Sequence, residues 1–361
     1  MKKDFFTVGP AALYPNIDEY LRDFLELGYG SISHRSEAFR DIYKNTVSAL
    51  KQLLNIPDSY AILFCGAASE IWERILLNTV IQETTHLSYG DFSKRFYDYA
   101  ISLKLKAELI EKPDGTSFTL HDDINIAPKS ELISICLNET STGACIDPEL
   151  VYKIRKENPN VLITLDIVSA VPFINIDWNQ LDMAYFSGQK GFGMPTSIGV
   201  WIVNEKSIHK ANDKLKNNQN IGAHNQLPQL IKHYENFETP STPNVLAIYL
   251  LGKIANNLNK QNFDSLCAKH KNRAEAIYSF FENTSMPPFV KEKNIRSTTT
   301  IVLETNEKTL RLYDALYHQQ ILVSKGYGKY KDKHIRIGNF PANIEMDDSF
   351  EKMISICREF L

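Results

Sequence analysis

Cysteine is scarce in this chain of 361 residues: Cys65, Cys136, Cys145, Cys267 and Cys357 make an odd number at wide spacing, with no CxxC pair. That excludes a disulfide scaffold, and no metal site is expected. Most of these thiols sit in apolar runs such as AILFC (61–65) and LISICL (132–137). This is the setting of buried, reduced cysteines in a cytosolic protein. An excess of charge is also missing, with 40 Lys and Arg against 43 Asp and Glu and a formal net charge of −3. The balance offers no global electrostatic case for nucleic acid or an anionic membrane, and neither partner is expected. No uncharged apolar run approaches the roughly 20 residues of a membrane span. The opening MKKDFFTVGPAALYP has no apolar h-region and is interrupted by Gly9, Pro10 and Pro15, so no secretory signal is read and a cytoplasmic location is expected. Internal repeats, low-complexity tracts, a Walker loop and a GxGxxG string are absent as well, so nucleotides are not the first ligand to consider.

What is present is an ordinary globular composition, 43% hydrophobic and 23% charged. At about 150 residues per domain the length suggests two domains. The middle of the chain alternates short apolar runs with helical patterns. The runs are Ala61–Cys65, Leu132–Leu137, Val161–Leu165, Ala184–Phe186 and Ile198–Val203. They lack polar alternation, as strands buried on both faces do. Ser69–Val80 has apolar residues at helical spacing, Lys94–Leu105 is a further candidate, and Pro148–Asn158 starts with Asp147 as N-cap. The pattern predicts an α/β domain around a mostly parallel sheet. Residues 204–236 read as a polar, exposed excursion. Long helices follow over Val245–Asn259 and Phe263–Phe281. Beyond Pro287 and Pro288, strand-like TTTIVLE, Ile321–Ser324 and HIRIGN with two helices predict a smaller α+β domain. The expected division is a large domain over 16–250 and a small one over 251–361 joined by 1–15.

Five stretches carry the chemistry. In YFSGQKGFGMP (185–195) a strand runs into a lysine between glycines, which let the backbone turn sharply. Lys190 then stands at a strand end, where open α/β sheets bind ligands, and a lysine there that loses its proton can form a Schiff base. Taken alone, a solvated loop lysine is the commoner outcome. LITLDIVSAVPF (162–173) ends an apolar strand on Asp166, a costly carboxylate unless a cation faces it. The pyridinium nitrogen of pyridoxal phosphate is such a cation; a helix cap or a surface ion pair is the plainer reading. FCGAASEIW (64–72) leads from a strand through Gly66, Ala67, Ala68 and Ser69 into a helix, a setting for an anion at a helix N-terminus or for an ordinary turn. In ICLNETSTGACID (135–147) the Thr140 hydroxyl suits a phenolic oxygen, although turn chemistry favours the same residues. In SYGDFSKRF (88–96) Phe92 suits stacking on a cofactor ring or simply a core position.

The order of these motifs, a small-residue turn followed by GDFS, NETSTG, DIVS and SGQKGFG, resembles the class V aminotransferases of fold type I. Within them FTVGPAALYP (6–15) and SISHRSEAF (31–39) are most similar to the phosphoserine aminotransferase group. The resemblance covers essentially the whole chain. It implies a pyridoxal 5'-phosphate enzyme, with a seven-stranded-type sheet in the large, cofactor-binding domain. It further implies a homodimer with shared active sites, acting on an amino acid and a 2-oxo acid. Lys190 matches the Schiff-base lysine, Asp166 the partner of the ring nitrogen, and Thr140 the contact of the phenolic oxygen. Ala67, Ala68 and Ser69 match the phosphate turn, Gln189 supports the lysine, and Phe92 falls where a stacking tryptophan is usual. Arg336 matches the arginine that holds the substrate α-carboxylate, a task suited to a bidentate guanidinium. His34 and Arg35 match residues that reach the substrate's distal group across the dimer. ETPSTPN (238–244) resembles the segment that crosses to the neighbour's cofactor phosphate. Thr239 is kept there, but Glu238 replaces an asparagine, and a carboxylate near a phosphate is unfavourable unless it points away.

One departure bears on the substrate. The group's GHR segment before the carboxylate arginine is here KGYGKYKDKHIRIG (325–338), without the His-Arg pair, though Lys329, Lys331 and Lys333 bring positive charge. That region and DIVSAVPF look closer to alanine–glyoxylate and serine–pyruvate aminotransferases. The expectation is phosphoserine with 2-oxoglutarate, a reaction of serine biosynthesis; the alternative is alanine or serine with glyoxylate or pyruvate. A class V desulfurase or lyase ranks lower, because Cys267 and Cys357 lie in helical patterns without a flexible loop. A non-catalytic, cofactor-binding regulator also ranks lower, since Lys190 is retained and no DNA-binding extension is seen.

Overall fold

The apolar runs lack polar alternation because both faces of their sheet are covered. The computed structural model describes residues 3–361. In chain order its strands are β1 (Asp4–Phe6), β2 (Ala61–Cys65), β3 (Glu83–Ser88), β4 (Lys106–Glu111), β5 (Leu132–Cys136), β6 (Asn138–Glu139), β7 (Ala144–Cys145), β8 (Leu162–Asp166), β9 (Met183–Ser187), β10 (Gly199–Val203), β11 (Thr300–Glu304), β12 (Ile321–Lys325) and β13 (His334–Gly338). Seven of them form one sheet in the order β2-β10-β9-β8-β5-β3-β4. β10 runs antiparallel to both its neighbours, and the remaining pairs are parallel. Along β2 and β10, Ile62, Phe64, Val200 and Ile202 enter one apolar cluster, while Leu63, Trp201 and Val203 enter the other. Helices seal both sides; Ala68–Thr79 and Asp91–Ser102 belong to the second cluster.

This is the predicted α/β architecture, with two strands that the apolar pattern did not mark. β3 reads ETTHLS, yet all six of its residues are buried. Its threonines are partnered: Thr84 Oγ1 lies 2.9 Å from His86 Nε2, and Thr85 Oγ1 donates to Ser130 Oγ at 3.1 Å, while His86 Nδ1 is left without a partner. Burial pushes the His86 imidazole down to about 3, so it sits neutral. β4 is the sheet's edge and alternates exposed and half-buried positions, as an edge strand with one open face does. The region 204–236 folds as two helices, Glu205–Lys216 and Leu227–Tyr234.

A second sheet has the order β1-β12-β13-β11, so a strand from the start of the chain joins three from its end. β1 pairs in parallel with β12, and β13 is antiparallel to β12 and β11. Its own apolar cluster gathers Phe6, Phe281, Leu303, Leu316 and Ile337. Met1 and Lys2 of the 1–15 segment lie outside the described residues. One helix, Val245–Lys260, runs through position 250, and Leu258 near its end packs into the large sheet's core. The N-terminal segment then crosses to the large sheet: Ala11 N–H donates to Gln189 O and Tyr14 N–H to Gly193 O, each at 2.8 Å.

Trp201, fully buried in β10, tests how far the large sheet depends on this packing. Trp201→Ala is expected to cost about 3–5 kcal/mol in denaturant unfolding, against at most about 0.5 kcal/mol for exposed Leu120→Ala.

Candidate active site

The parallel strands deliver their following residues to one edge of the large sheet. β9 runs into Gly188, Gln189 and Lys190, β8 ends on Asp166, and β2 turns through Gly66 into the helix Ala68–Thr79. β5 leads to Thr140, and β3 leads through Gly90 to Phe92 on the helix Asp91–Ser102. A cavity of about 510 Å³ opens there, walled by Ala67, Ala68, Ser69, Phe92, Thr140, Asp166, Gln189 and Lys190, all named from the sequence.

Lys190 is buried, and its Nζ donates to Thr140 Oγ1 at 2.8 Å. Thr140 Oγ1 donates in turn to Ser169 Oγ at 2.8 Å, and Ser169 Oγ to the Asn138 carbonyl at 2.8 Å. The amine also lies 5.2 Å from the centre of the Phe92 ring. Gly9 of the N-terminal segment, at φ +151°, lies against the lysine stem; a Cβ there would stand 2.9 Å from Lys190 Cε. Burial pulls the Lys190 ammonium down to about 8, partly opposed by the Asp166 carboxylate. Asp166 accepts from Val168 N–H at 2.9 Å, and burial pushes its carboxyl up to about 6. The two shifts bring an amine and an acid, ordinarily far apart, to either side of neutral pH.

The small-residue turn has the properties of an anion site. Ala67 stands at the N-cap of its helix with no side-chain capping bond, so the first N–H groups keep their capacity for a ligand. Gly199 lets the turn approach β10; a Cβ there would stand 2.5 Å from the Ala67 carbonyl carbon. Ser187, at the end of β9, places a buried hydroxyl without a partner on the same cavity wall. Glu70, in the first turn of the helix, accepts from Gly66 N–H at 2.9 Å.

Arg336, on β13, comes from the second sheet. Its Nε donates to Lys325 O at 2.9 Å and its Nη1 to Thr140 O at 3.1 Å. The guanidinium therefore touches the strand end that holds Lys190, although it does not wall the cavity itself. Burial pulls it down to about 10, still cationic at neutral pH.

Other expected residues lie elsewhere in the single chain. Thr239 walls a neighbouring cavity of about 250 Å³ that shares Gly66, Ser197 and Ile198 with the first. Its hydroxyl donates to Ser241 O at 2.7 Å. His34 and Arg35 do not line the Lys190 cavity. Arg35 Nη1 instead donates to Glu238 Oε2 at 2.7 Å, and Arg40 Nη2 to Glu238 Oε1 at 2.6 Å. Glu238 is thus turned toward two guanidiniums, which hold its carboxyl below its ordinary value. Lys329, Lys331 and Lys333 do not reach the cavity wall either, and Lys329 pairs with Asp114 at 2.6 Å.

Sequence reasoning passed over several site residues. Ser187 lies within YFSGQKGFGMP, and what marks it is a hydroxyl without a partner, which local sequence does not reveal. Glu139 is a fully buried carboxylate that accepts from the backbone N–H groups of Phe92, Ser93 and Ser141 and from the hydroxyls of Ser93 and Ser141. It joins the Thr140 turn to the helix bearing Phe92. Arg95 in SYGDFSKRF and Trp72 in FCGAASEIW also wall the cavity.

No helix among the described residues is long and apolar enough to cross a membrane. No group of three or more His, Cys, Asp or Glu among them is arranged to hold a metal ion. All five cysteines are free; Cys65, Cys136 and Cys357 are buried, whereas Cys145 and Cys267 are partly exposed.

Comparison with known proteins places the arrangement. Residues 7–329 match the family model described as Aminotransferase class-V. A solved phosphoserine aminotransferase from Cytophaga hutchinsonii superposes with a TM-score of 0.95 at 35% identity, covering 99% of this chain and 98% of that one. A phosphoserine aminotransferase from Rhodococcus opacus is 24% identical over 351 residues, covering 93% of this chain and 90% of that protein. The fold alone is shared with an alanine–glyoxylate aminotransferase from Nostoc sp., at a TM-score of 0.82 and 19% identity over 99% of this chain and 96% of that one.

The Lys190 amine sets a pH dependence. With its value lowered to about 8 in the folded chain, half the amine is neutral near that pH and more above it. The rate at which the Lys190 amine condenses with an added aromatic aldehyde, followed by absorbance, is expected to rise through about pH 8 and level off above it. Asp166→Asn removes a carboxylate that favours the ammonium, so the midpoint moves to lower pH. A wild-type midpoint near that of a solvated lysine, or an upward move in the variant, contradicts this account.

Proposed function

The chain belongs to the class V aminotransferase family and is a transaminase; on that premise we propose that it transfers the amino group between phosphoserine and 2-oxoglutarate, using pyridoxal 5'-phosphate held beside Lys190. The observation that carries the reading is the buried Lys190 amine, bonded to Thr140 at 2.8 Å in one cavity with Asp166. The residues fit that cofactor. The uncapped helix start at Ala67, Ala68 and Ser69 and the unpartnered Ser187 hydroxyl suit its phosphate. Asp166 suits a protonated ring nitrogen, Thr140 a phenolic oxygen, and Phe92 one face of the ring. Gln189 supports the loop by accepting Ala11 N–H on its carbonyl. When bound, the cofactor supplies an electron sink that acidifies the substrate Cα–H.

The chain's own residues do the rest. Lys190 takes the Cα proton as a general base and returns it as a general acid, tasks suited to an amine drawn toward neutrality. Asp166, as a buried carboxylate, would hold a proton on a facing ring nitrogen, because the facing cation stabilises it. Arg336, fixed by two carbonyls, presents its remaining donors to the substrate α-carboxylate. The large domain over 16–250 then holds the cofactor, and the small domain over 251–361 with 1–15 supplies Arg336. The working enzyme is a cytoplasmic homodimer in which His34, Arg35 and Thr239 serve the neighbour's site; that none of the three lines the chain's own Lys190 cavity supports that reading.

Two measurements test the proposal. Lys190→Ala should lower transamination by about 10³-fold or more while the chain stays folded. In single half-reactions with loaded enzyme, phosphoserine should bleach the visible band at far lower concentration than serine or alanine. A response to alanine but not to phosphoserine replaces the proposal with an alanine–glyoxylate type of reaction.

A further inference from the structure

The helix that carries Phe92, Asp91–Ser102, has no cap of its own, because the residue before it is Gly90, which brings no side chain. Its first three N–H groups are nevertheless all taken, and by a single turn elsewhere in the chain. Asp91 N–H donates to Ser141 Oγ at 3.0 Å, Phe92 N–H to Glu139 Oε1 at 3.3 Å and Ser93 N–H to Glu139 Oε2 at 2.9 Å. Helix capping is ordinarily local, with the cap side chain bonding two or three positions ahead. Here it comes from 46 to 50 positions away in sequence.

Glu139 is fully buried, and no Lys, Arg or His pairs with it among the described residues. A carboxylate so placed is costly unless donors converge on it. They do: besides the two helix N–H groups, Ser141 N–H lies 3.1 Å from Oε1, and the hydroxyls of Ser141 and Ser93 stand at 2.7 and 2.9 Å. The helix N-terminus adds its dipole. Gly90 makes room for the carboxylate; a Cβ there would stand 2.4 Å from Glu139 Cγ. The next residue, Thr140, bonds the Lys190 amine at 2.8 Å, and the Phe92 ring centre lies 5.2 Å from the same amine. The amine thus lies between two groups on different elements, and Glu139 bonds one element to the other.

We infer that Glu139 is a positioning residue of the site: its carboxylate locks the helix of Phe92 to the Thr140 turn and so sets the gap, between ring and hydroxyl, in which the Lys190 amine lies. It touches no reacting atom itself. The inference rests on the functional reading above for which group fills that gap, but not for the gap. The charge of Glu139 has a second effect. Burial is the largest influence on the Lys190 ammonium and pulls it down; Asp166, Cys136 and Glu139 favour the charged form, and Arg336 opposes it. Removing the Glu139 charge therefore moves the amine's midpoint to lower pH, and by less than removing that of Asp166.

Glu139→Gln keeps the shape of the side chain. Both carboxylate oxygens accept from N–H groups, so the amide NH2 meets a donor whichever way it turns. The full chain, freed of cofactor, is compared as wild type, Glu139→Gln, Ser141→Ala and the exposed control Glu108→Gln. Affinity for pyridoxal 5'-phosphate is read from the visible band, the Lys190 midpoint from condensation with an aromatic aldehyde, and the fold from thermal unfolding. Glu139→Gln should weaken the cofactor about 10- to 100-fold and lower the midpoint, by less than Asp166→Asn does. Ser141→Ala, which removes one donor to Glu139 and the acceptor of Asp91 N–H, should weaken the cofactor about 2- to 10-fold, and Glu108→Gln should match wild type. A folded Glu139→Gln with wild-type affinity and midpoint overturns the inference. So does a loss confined to the unfolding temperature, which would make Glu139 structural only. If Glu139→Gln does not fold, wild-type affinity in Ser141→Ala overturns it. Wild type that takes up no pyridoxal 5'-phosphate, while Glu139→Gln still lowers the aldehyde midpoint, would sink the functional reading and support the role of Glu139.

Discussion

Everything else in this molecule serves the burial of one amine. Lys190 is shifted from 10.5 to about 8, and Asp166 on the same wall from 3.8 to about 6. At about 1.4 kcal/mol per pH unit, each shift costs the unloaded fold on the order of 3 kcal/mol at neutral pH. The signs are opposite in pH. The Asp166 penalty fades as the medium is acidified through about 6, and the Lys190 penalty fades as it is made alkaline through about 8. A domain stable by only about 5–15 kcal/mol feels either cost, so the large sheet must supply the surplus. It does so with a core on both faces, and the site is confined to the one edge where strand ends leave backbone groups unpaired. A cation bound facing Asp166 would remove part of the cost and so link ligand binding to stability.

The second sheet brings a further buried cation to that edge. Arg336 arrives on β13, between β12 and β11, and its guanidinium spends two donors on carbonyls, Lys325 O in its own sheet and Thr140 O in the large one. Those bonds fix the direction of its guanidinium. The N-terminal segment closes the remaining side, pairing β1 with the small sheet and laying Gly9 on the lysine stem. The strand-end edge, the lysine loop and the Arg336 guanidinium are therefore held by three stretches of chain that are distant in sequence.

Much of this was legible in the residues. Strands buried on both faces announce themselves as short apolar runs, so β2, β5, β8, β9 and β10 could be placed to within a residue or two. Lys190, Asp166, Thr140 and the Ala67–Ser69 turn could be named because each follows such a run. β3 was illegible because its burial is satisfied by hydrogen bonds rather than by apolar side chains, as Thr84 and His86 show. Ser187, Glu139 and Arg95 escaped for a related reason. What marks them is a missing partner, a surplus of partners or a shared cavity wall, and none of these is a property of local sequence.

Glu238 shows how a local exception becomes consistent in three dimensions. A carboxylate in place of an asparagine beside a phosphate would oppose binding, and sequence alone leaves its direction open. In the folded chain Arg35 and Arg40 both bond to it, with His233 Nδ1 a further 3.2 Å from Arg35. An anion held by two guanidiniums stays ionised and stays where they are. The same bonds occupy Arg35, so within one chain its charge is already spent. The net charge of −3 hides this partition. Cations such as Arg35 and Lys329 are neutralised by carboxylates, whereas the Arg336 guanidinium, bonded to two carbonyls, has no carboxylate partner among the described residues. Which cation serves a ligand is decided by where the carboxylates are, not by how many cations the chain contains.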